Sequence, residues 1–221
     1  MKHRTGGVQV ASAALLALQL LSLPAGADTP PATGYVAPQA DAPRRRVGGS
    51  SRGVAEALPF VAVIAPDHVG YTLQEQPVLY WFSSRPTTVR VELTLIDEHG
   101  VVPLLENVAT GTATAGLQRY SLRDSGLKLQ PGIDYQWSVS LVPDAEGRSN
   151  DVLSAGAIRR VSGDAPEGDA AALAAAGLWY DAFAALSEAI EANPGDAALR
   201  QTRQQWLRQI GLGEVADFDQ R

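Results

Sequence analysis

Between residues 58 and 162 apolar positions come in short runs parted by turn residues, the spacing of a β-sandwich. The runs predict strands near 60–64, 78–82, 89–96, 101–105, 117–122, 135–142 and 153–161. That is about seven, the immunoglobulin-like count. Alternation is clean in the third run: Val89, Val91, Leu93 and Leu95 fall on one face while Thr88, Arg90, Glu92 and Thr94 fall on the other. The following "IDEHGVV" predicts a hairpin in which Gly100 supplies a positive φ.

The run "LQPGIDYQWSV" places Tyr135, Trp137, Val139 and Leu141 on one strand face and Gln136, Ser138 and Ser140 on the other, a core pattern. Its Pro-Gly turn ahead of a tyrosine resembles the tyrosine corner of fibronectin type III and immunoglobulin-like domains. That resemblance implies that Tyr135 is a buried latch, its hydroxyl bonded to nearby backbone, with Trp137 beside it as a structural residue.

After Asp164 the period changes from two to 3.6. "GLWYDAFAALSEAIEANPGD" sets Trp179, Ala182, Phe183, Leu186, Ala189 and Ile190 on one helical stripe, and Pro194 ends it. A second amphipathic segment runs over 197–210, with Asp196 as N-cap, Gly211 as stop and Leu199, Trp206, Leu207 and Ile210 on its apolar side. The spacing of Gly177, Ala182, Ala189 and Pro194 resembles the second helix of a tetratricopeptide repeat. So short an array makes no solenoid, and these helices need another surface. "VLYWF" is apolar on both faces, and the one carrying Leu79 and Trp81 is the expected landing site.

The opening residues follow a different logic. Lys2, His3 and Arg4 precede an apolar run over 8–23 and the small-x-small "AGA" of Ala25–Ala27, which together predict a cleaved export signal over 1–27. The run is short for ~30 Å of hydrocarbon, so no membrane insertion is expected after cleavage, and a periplasmic or extracellular destination follows. Residues 28–57 lack a hydrophobic period and are expected to form a disordered linker. It holds "PRRRVGGSSRG", whose Arg44, Arg45, Arg46 and Arg52 are either a solvated charge run or a contact for a partner. The organisation expected is thus 1–27 signal, 28–57 linker, 58–163 sandwich and 164–221 helical region, an α+β chain.

Composition narrows the function more than it defines it. With no cysteine there is no disulfide framework or thiolate metal site, and a net charge of −6 argues against nucleic acid as partner. His68 and His99 both fall in turns with no second ligand at metal spacing, so neither a metal site nor a cofactor is expected. "GSSRG" matches the G-x-S-x-G elbow around Ser51 but sits in the linker, without the strand and helix that elbow needs. "PDAEGRSND" gathers Asp144, Glu146, Asn150 and Asp151 but not in the order of a calcium loop.

The ordered set "PRRRVGGSSRG", "PVLYWFSS", "LQPGIDYQWSV", "GRSNDVLSAGAIRRV" and "GLWYDAFAAL" resembles the bacterial exported family of domain of unknown function 928. Members often carry a cysteine in the strand before the "RS" pair. Here "SLVPDAEGRS" has none, which argues against a thiol role. The resemblance implies export and the two-part layout, and it brings no reaction or catalytic residue. It also turns Arg44–Arg46 from plain linker into candidates for docking on the sandwich or on a partner. The expected function is therefore a non-enzymatic protein-interaction or scaffold protein of the cell envelope, its partner another envelope or extracellular protein. A carbohydrate- or polymer-binding module offering Trp81, Trp179 and Tyr180 is the alternative, and a hydrolase using Ser51 or His99 a lesser one.

Overall fold

A computed structural model describes residues 34–38, 46–47, 58–109 and 113–219. The expected signal segment, nearly all of the linker, and Arg44, Arg45, Ser51 and Arg52 lie outside these residues. The strands are β1 (Val61–Val63), β2 (Gly70–Thr72), β3 (Val78–Ser83), β4 (Arg90–Asp97), β5 (Leu105–Ala109), β6 (Gly116–Ser121), β7 (Asp134–Val142) and β8 (Val152–Arg160). The helices are α1 (Leu122–Ser125), α2 (Ala170–Ala175), α3 (Trp179–Ala192), α4 (Ala197–Gln209) and α5 (Gly213–Phe218). This is a mixed architecture of helices with two sheets, ordered β1-β3-β6 and β2-β8-β7-β4-β5.

The alternation of β4 and β7 fixes the core. Antiparallel register sets Val91 opposite Leu141, Leu93 opposite Val139 and Leu95 opposite Trp137, so two apolar rows merge on one face of the five-stranded sheet. All six side chains are buried. The short sheet closes on that face through β1: the Val63 amide donates to Ser154 Oγ at 3.0 Å. Gly156 makes the approach possible, because a Cβ there would lie 2.6 Å from that of Ala65. At the Pro-Gly turn Gly132 adopts φ 79°, and the Tyr135 hydroxyl accepts the Gln130 amide at 2.9 Å.

The helices cover the outer face of the short sheet. Phe183 meets the Tyr80 ring edge-on at 5.2 Å between centroids, and Phe218 does the same to Phe82 at 5.0 Å. The landing face is therefore the one with Tyr80 and Phe82, not the one with Leu79 and Trp81. Strand side chains alternate, so the latter two turn toward the other sheet. Asp196 caps α4 by accepting from the amides of Ala198 and Leu199 at 2.9 and 3.2 Å.

Other expectations also need correction. There are eight described strands rather than about seven, and five helices rather than two. The addition among strands is β2, which pairs in parallel with the end of β8. The fourth expected strand begins only at Leu105, because Val101 and Val102 stand 94% and 71% exposed at the turn. Gly100 stays outside the left-handed region: Asp97 Oδ1 accepts the His99 amide at 2.9 Å and Asp97 O the Gly100 amide at 3.0 Å, a turn that needs no positive φ. Glu92, on the polar phase of β4, is nonetheless buried, clasped by Arg90 at 2.9 Å and Arg148 at 2.8 Å.

Candidate functional site

Three successive residues at the start of α3 lock it to the sheets. The Trp179 indole donates to Ile64 O at 3.0 Å, just past β1. Tyr180 Oη donates to Ala157 O at 3.0 Å and accepts from the Trp137 indole at 2.8 Å. Gly70 admits the Tyr180 ring, since a Cβ there would lie 2.7 Å from it. Asp181 accepts from the Thr72 hydroxyl at 2.5 Å and from the Leu73 amide at 2.8 Å, tying β2 to the helix. Burial raises the Asp181 pKa above the ordinary aspartate value, and these two hydrogen bonds oppose the rise. Burial likewise pushes the phenols of Tyr180 and Tyr35 well up.

These anchors settle where the candidate binding residues sit. Trp81, Trp179 and Tyr180 are all buried, so none offers a ring face to a sugar or a partner. The polar atoms of Trp179 and Tyr180 bond within the interior instead, the usual place for such amphipathic aromatics. Arg46 is half-buried and donates to Ile210 O at 2.8 Å and Ala65 O at 3.3 Å, bridging the end of α4 to the sheet. Next to it Val47 exchanges backbone hydrogen bonds with Ala155 at 2.9 and 3.1 Å. Arg46 thus docks on its own chain, spending donors that a partner contact would have used.

The remaining candidates for chemistry are engaged locally. His68 Nδ1 donates to Val69 O at 2.9 Å, which leaves Nε2 as acceptor for the Tyr35 hydroxyl at 3.3 Å. His99 stands in the open turn, 3.8 Å from Glu98. Arg148 holds Asp151 at 2.6 Å in the polar loop. Among the described residues no three His, Cys, Asp or Glu side chains come together as a metal site. Asp181, with a raised pKa beside a cleft, is the described group closest in character to a general acid, but both its oxygens hold structure.

Among the described residues three open spaces lie where sheet meets helices. A hollow of about 770 Å³ lies between α3, the start of β3, the end of β6 and the 165–168 loop, with Arg119, Arg123, Asp181 and Glu188 on its wall. A second of about 310 Å³ shares Arg119 with it, and a third of about 200 Å³ shares Leu117 with the second. All three follow β6, one of the two outer strands of the short sheet. Sequence reading missed this row because its walls come from segments some seventy residues apart, and its charged members are ordinary surface residue types.

Fold and site together define a two-sheet protein with helices docked on the smaller sheet and a row of hollows along one of its outer strands. The chain belongs to the family described as Domain of Unknown Function (DUF928), which matches residues 47–219. No curated protein and no solved structure matches it. Among the described residues no helix is long and apolar enough to cross a membrane.

Proposed function

We propose that the protein is a non-enzymatic interaction or scaffold protein of the cell envelope, exported to the periplasm or beyond, that binds an extended segment of another envelope protein alongside β6. The carrying observation is the position of β6: an outer strand bordered along its length by three hollows. Outer strands add partner strands through backbone hydrogen bonds, and adjoining hollows take the partner's alternate side chains.

Two further features support this reading. We read the sheet orders β1-β3-β6 and β2-β8-β7-β4-β5 as strands A-B-E and A′-G-F-C-C′ of an immunoglobulin-like sandwich, with the first strand divided between the sheets. The α3 and α4 pair around "NPGD" has the form of a tetratricopeptide helix and its successor. Both are architectures of recognition, though fold alone assigns no partner.

Cross-linking of the mature chain in envelope extract tests the proposal. The expected result is a partner retained by Glu146→Lys, in the distant β7–β8 loop, and lost on Arg119→Glu. A partner indifferent to Arg119→Glu, or no partner together with robust hydrolytic activity, contradicts it. N-terminal sequencing of the exported protein should begin at Asp28, and an intact Met1 in the envelope fraction would refute the cleaved signal.

A further inference from the structure

One hydroxyl group in the middle hollow has nothing to bond to, and a second has only a loose contact with a guanidinium. Ser187 Oγ, from α3, is buried without a hydrogen-bond partner, while Tyr80 Oη, from β3, is held only loosely by the Arg119 guanidinium; their residues are 2% and 5% exposed. They line the same space of about 310 Å³. Unmet buried polar groups are costly and few in native proteins, so an unpaired hydroxyl beside a poorly paired one on the same cavity marks a place where something else supplies the bonds.

The surrounding groups say what chemistry that is. Arg119, at the mouth, brings guanidinium donors and no acceptor; its nearest ion-pair contact, Glu191, is 3.6 Å away with both side chains more than half exposed. Arg203 also lines the space but is held by Asp219 through two bonds of 2.9 and 2.5 Å. Gln118 turns its amide nitrogen to Thr114 Oγ1 at 2.9 Å, the two closing the β6 side. The Phe183 ring steadies Tyr80, and burial, reinforced by Glu191, raises its pKa against the pull of Arg119, so the phenol remains a donor at neutral pH. Glu191 is the one charged acceptor among the described lining residues, and it faces Arg119.

We propose that this hollow binds a carboxylate, with Tyr80 and Ser187 donating to its oxygens from the floor and Arg119 closing over it from the mouth in place of the Glu191 contact. That contact is long and solvent-exposed, the kind of ion pair that is readily exchanged. The carboxylate has two sources: a free small acid, or an acidic side chain of the partner segment along β6. The second source rests on the function proposed above, and the first stands without it.

Titration of the mature protein, followed by amide and guanidinium NMR shifts, separates these cases. The probes are succinate, and a capped acidic peptide beside its Asp→Asn counterpart. Binding of succinate centred on Arg119, weakened about tenfold or more by Tyr80→Phe and by Arg119→Gln, supports the pocket with a free acid as ligand. Binding of the aspartate peptide alone, with the same losses, supports it with the partner as source. Shifts unaffected by Tyr80→Phe and Ser187→Ala, or no binding by any probe, overturn it. Tyr80→Phe gives up only the loose contact with the exposed Arg119, so its unfolding midpoint without ligand should fall little; a large drop would reveal a close internal partner and also overturn the proposal. Retention of an envelope partner by Tyr80→Phe with no carboxylate binding would sink this inference while leaving the proposed function standing.

Discussion

Removing one oxygen atom from Tyr180 tests the junction of helices and sheets while leaving its packing in place. Its hydroxyl accepts from the Trp137 indole at 2.8 Å and donates to Ala157 O at 3.0 Å, with all three residues buried. Tyr180→Phe keeps the ring and its packing, so the loss is polar. The indole N–H is left without a partner, at about 1–3 kcal/mol, and the strand carbonyl loses one of its bonds, at about 1 kcal/mol. The sum is about 2–4 kcal/mol. For a chain of this size each kcal/mol moves the melting temperature by about 2–4 °C, so a drop of roughly 4–16 °C is expected. Urea unfolding followed by tryptophan fluorescence and far-ultraviolet circular dichroism measures it, with both signals moving together and the denaturant slope unchanged. A loss under about 0.5 kcal/mol would refute the reasoning, because the hydroxyl would then be replaceable by water and the junction not dry.

Asp181 gives a pH signature. Its folded pKa is raised, so its stabilising contribution is complete below the ordinary aspartate value and is lost as pH rises through the raised one. The stability of wild type relative to Asp181→Asn should therefore decline across that acid range in urea titrations, and a flat or rising difference would contradict the burial argument. Asp196→Ala should cost about 1 kcal/mol through loss of the α4 cap, read as a lower urea midpoint. An unaltered midpoint would show that α4 is held by packing alone.

How much the chain discloses in advance depends on whether a contact is local. Val91, Leu93 and Leu95 keep strict period two and are buried as a row, while Trp179, Phe183, Leu186 and Ile190 keep period 3.6 and are buried as a stripe. Asp196 lies one residue ahead of its helix, and its cap is legible from sequence. The "VLYWF" strand is the opposite case. Both of its faces are apolar, so period two alone does not say which one meets the helices, and ring contacts from Phe183 and Phe218 decide it. β2 is three residues long and exists through its parallel pairing with β8, nearly ninety residues away, so no local run announces it. Glu92 reads as a solvent residue until Arg148, from a distant loop, arrives beside it. The hollow with Tyr80, Arg119 and Ser187 is hidden for the same reason: two strands and a helix each contribute one unremarkable residue.

The account depends on sheets and helices sharing one core through the start of α3, since otherwise the hollows beside β6 have no fixed wall. Hydrogen exchange of the mature chain measures this directly. Amides of α3 between Phe183 and Ile190 should open with the same free energy as those of β7 between Trp137 and Leu141, and both should fall together in Tyr180→Phe. Exchange in α3 faster by several orders of magnitude, with β7 still protected, would contradict the shared core and the groove built on it.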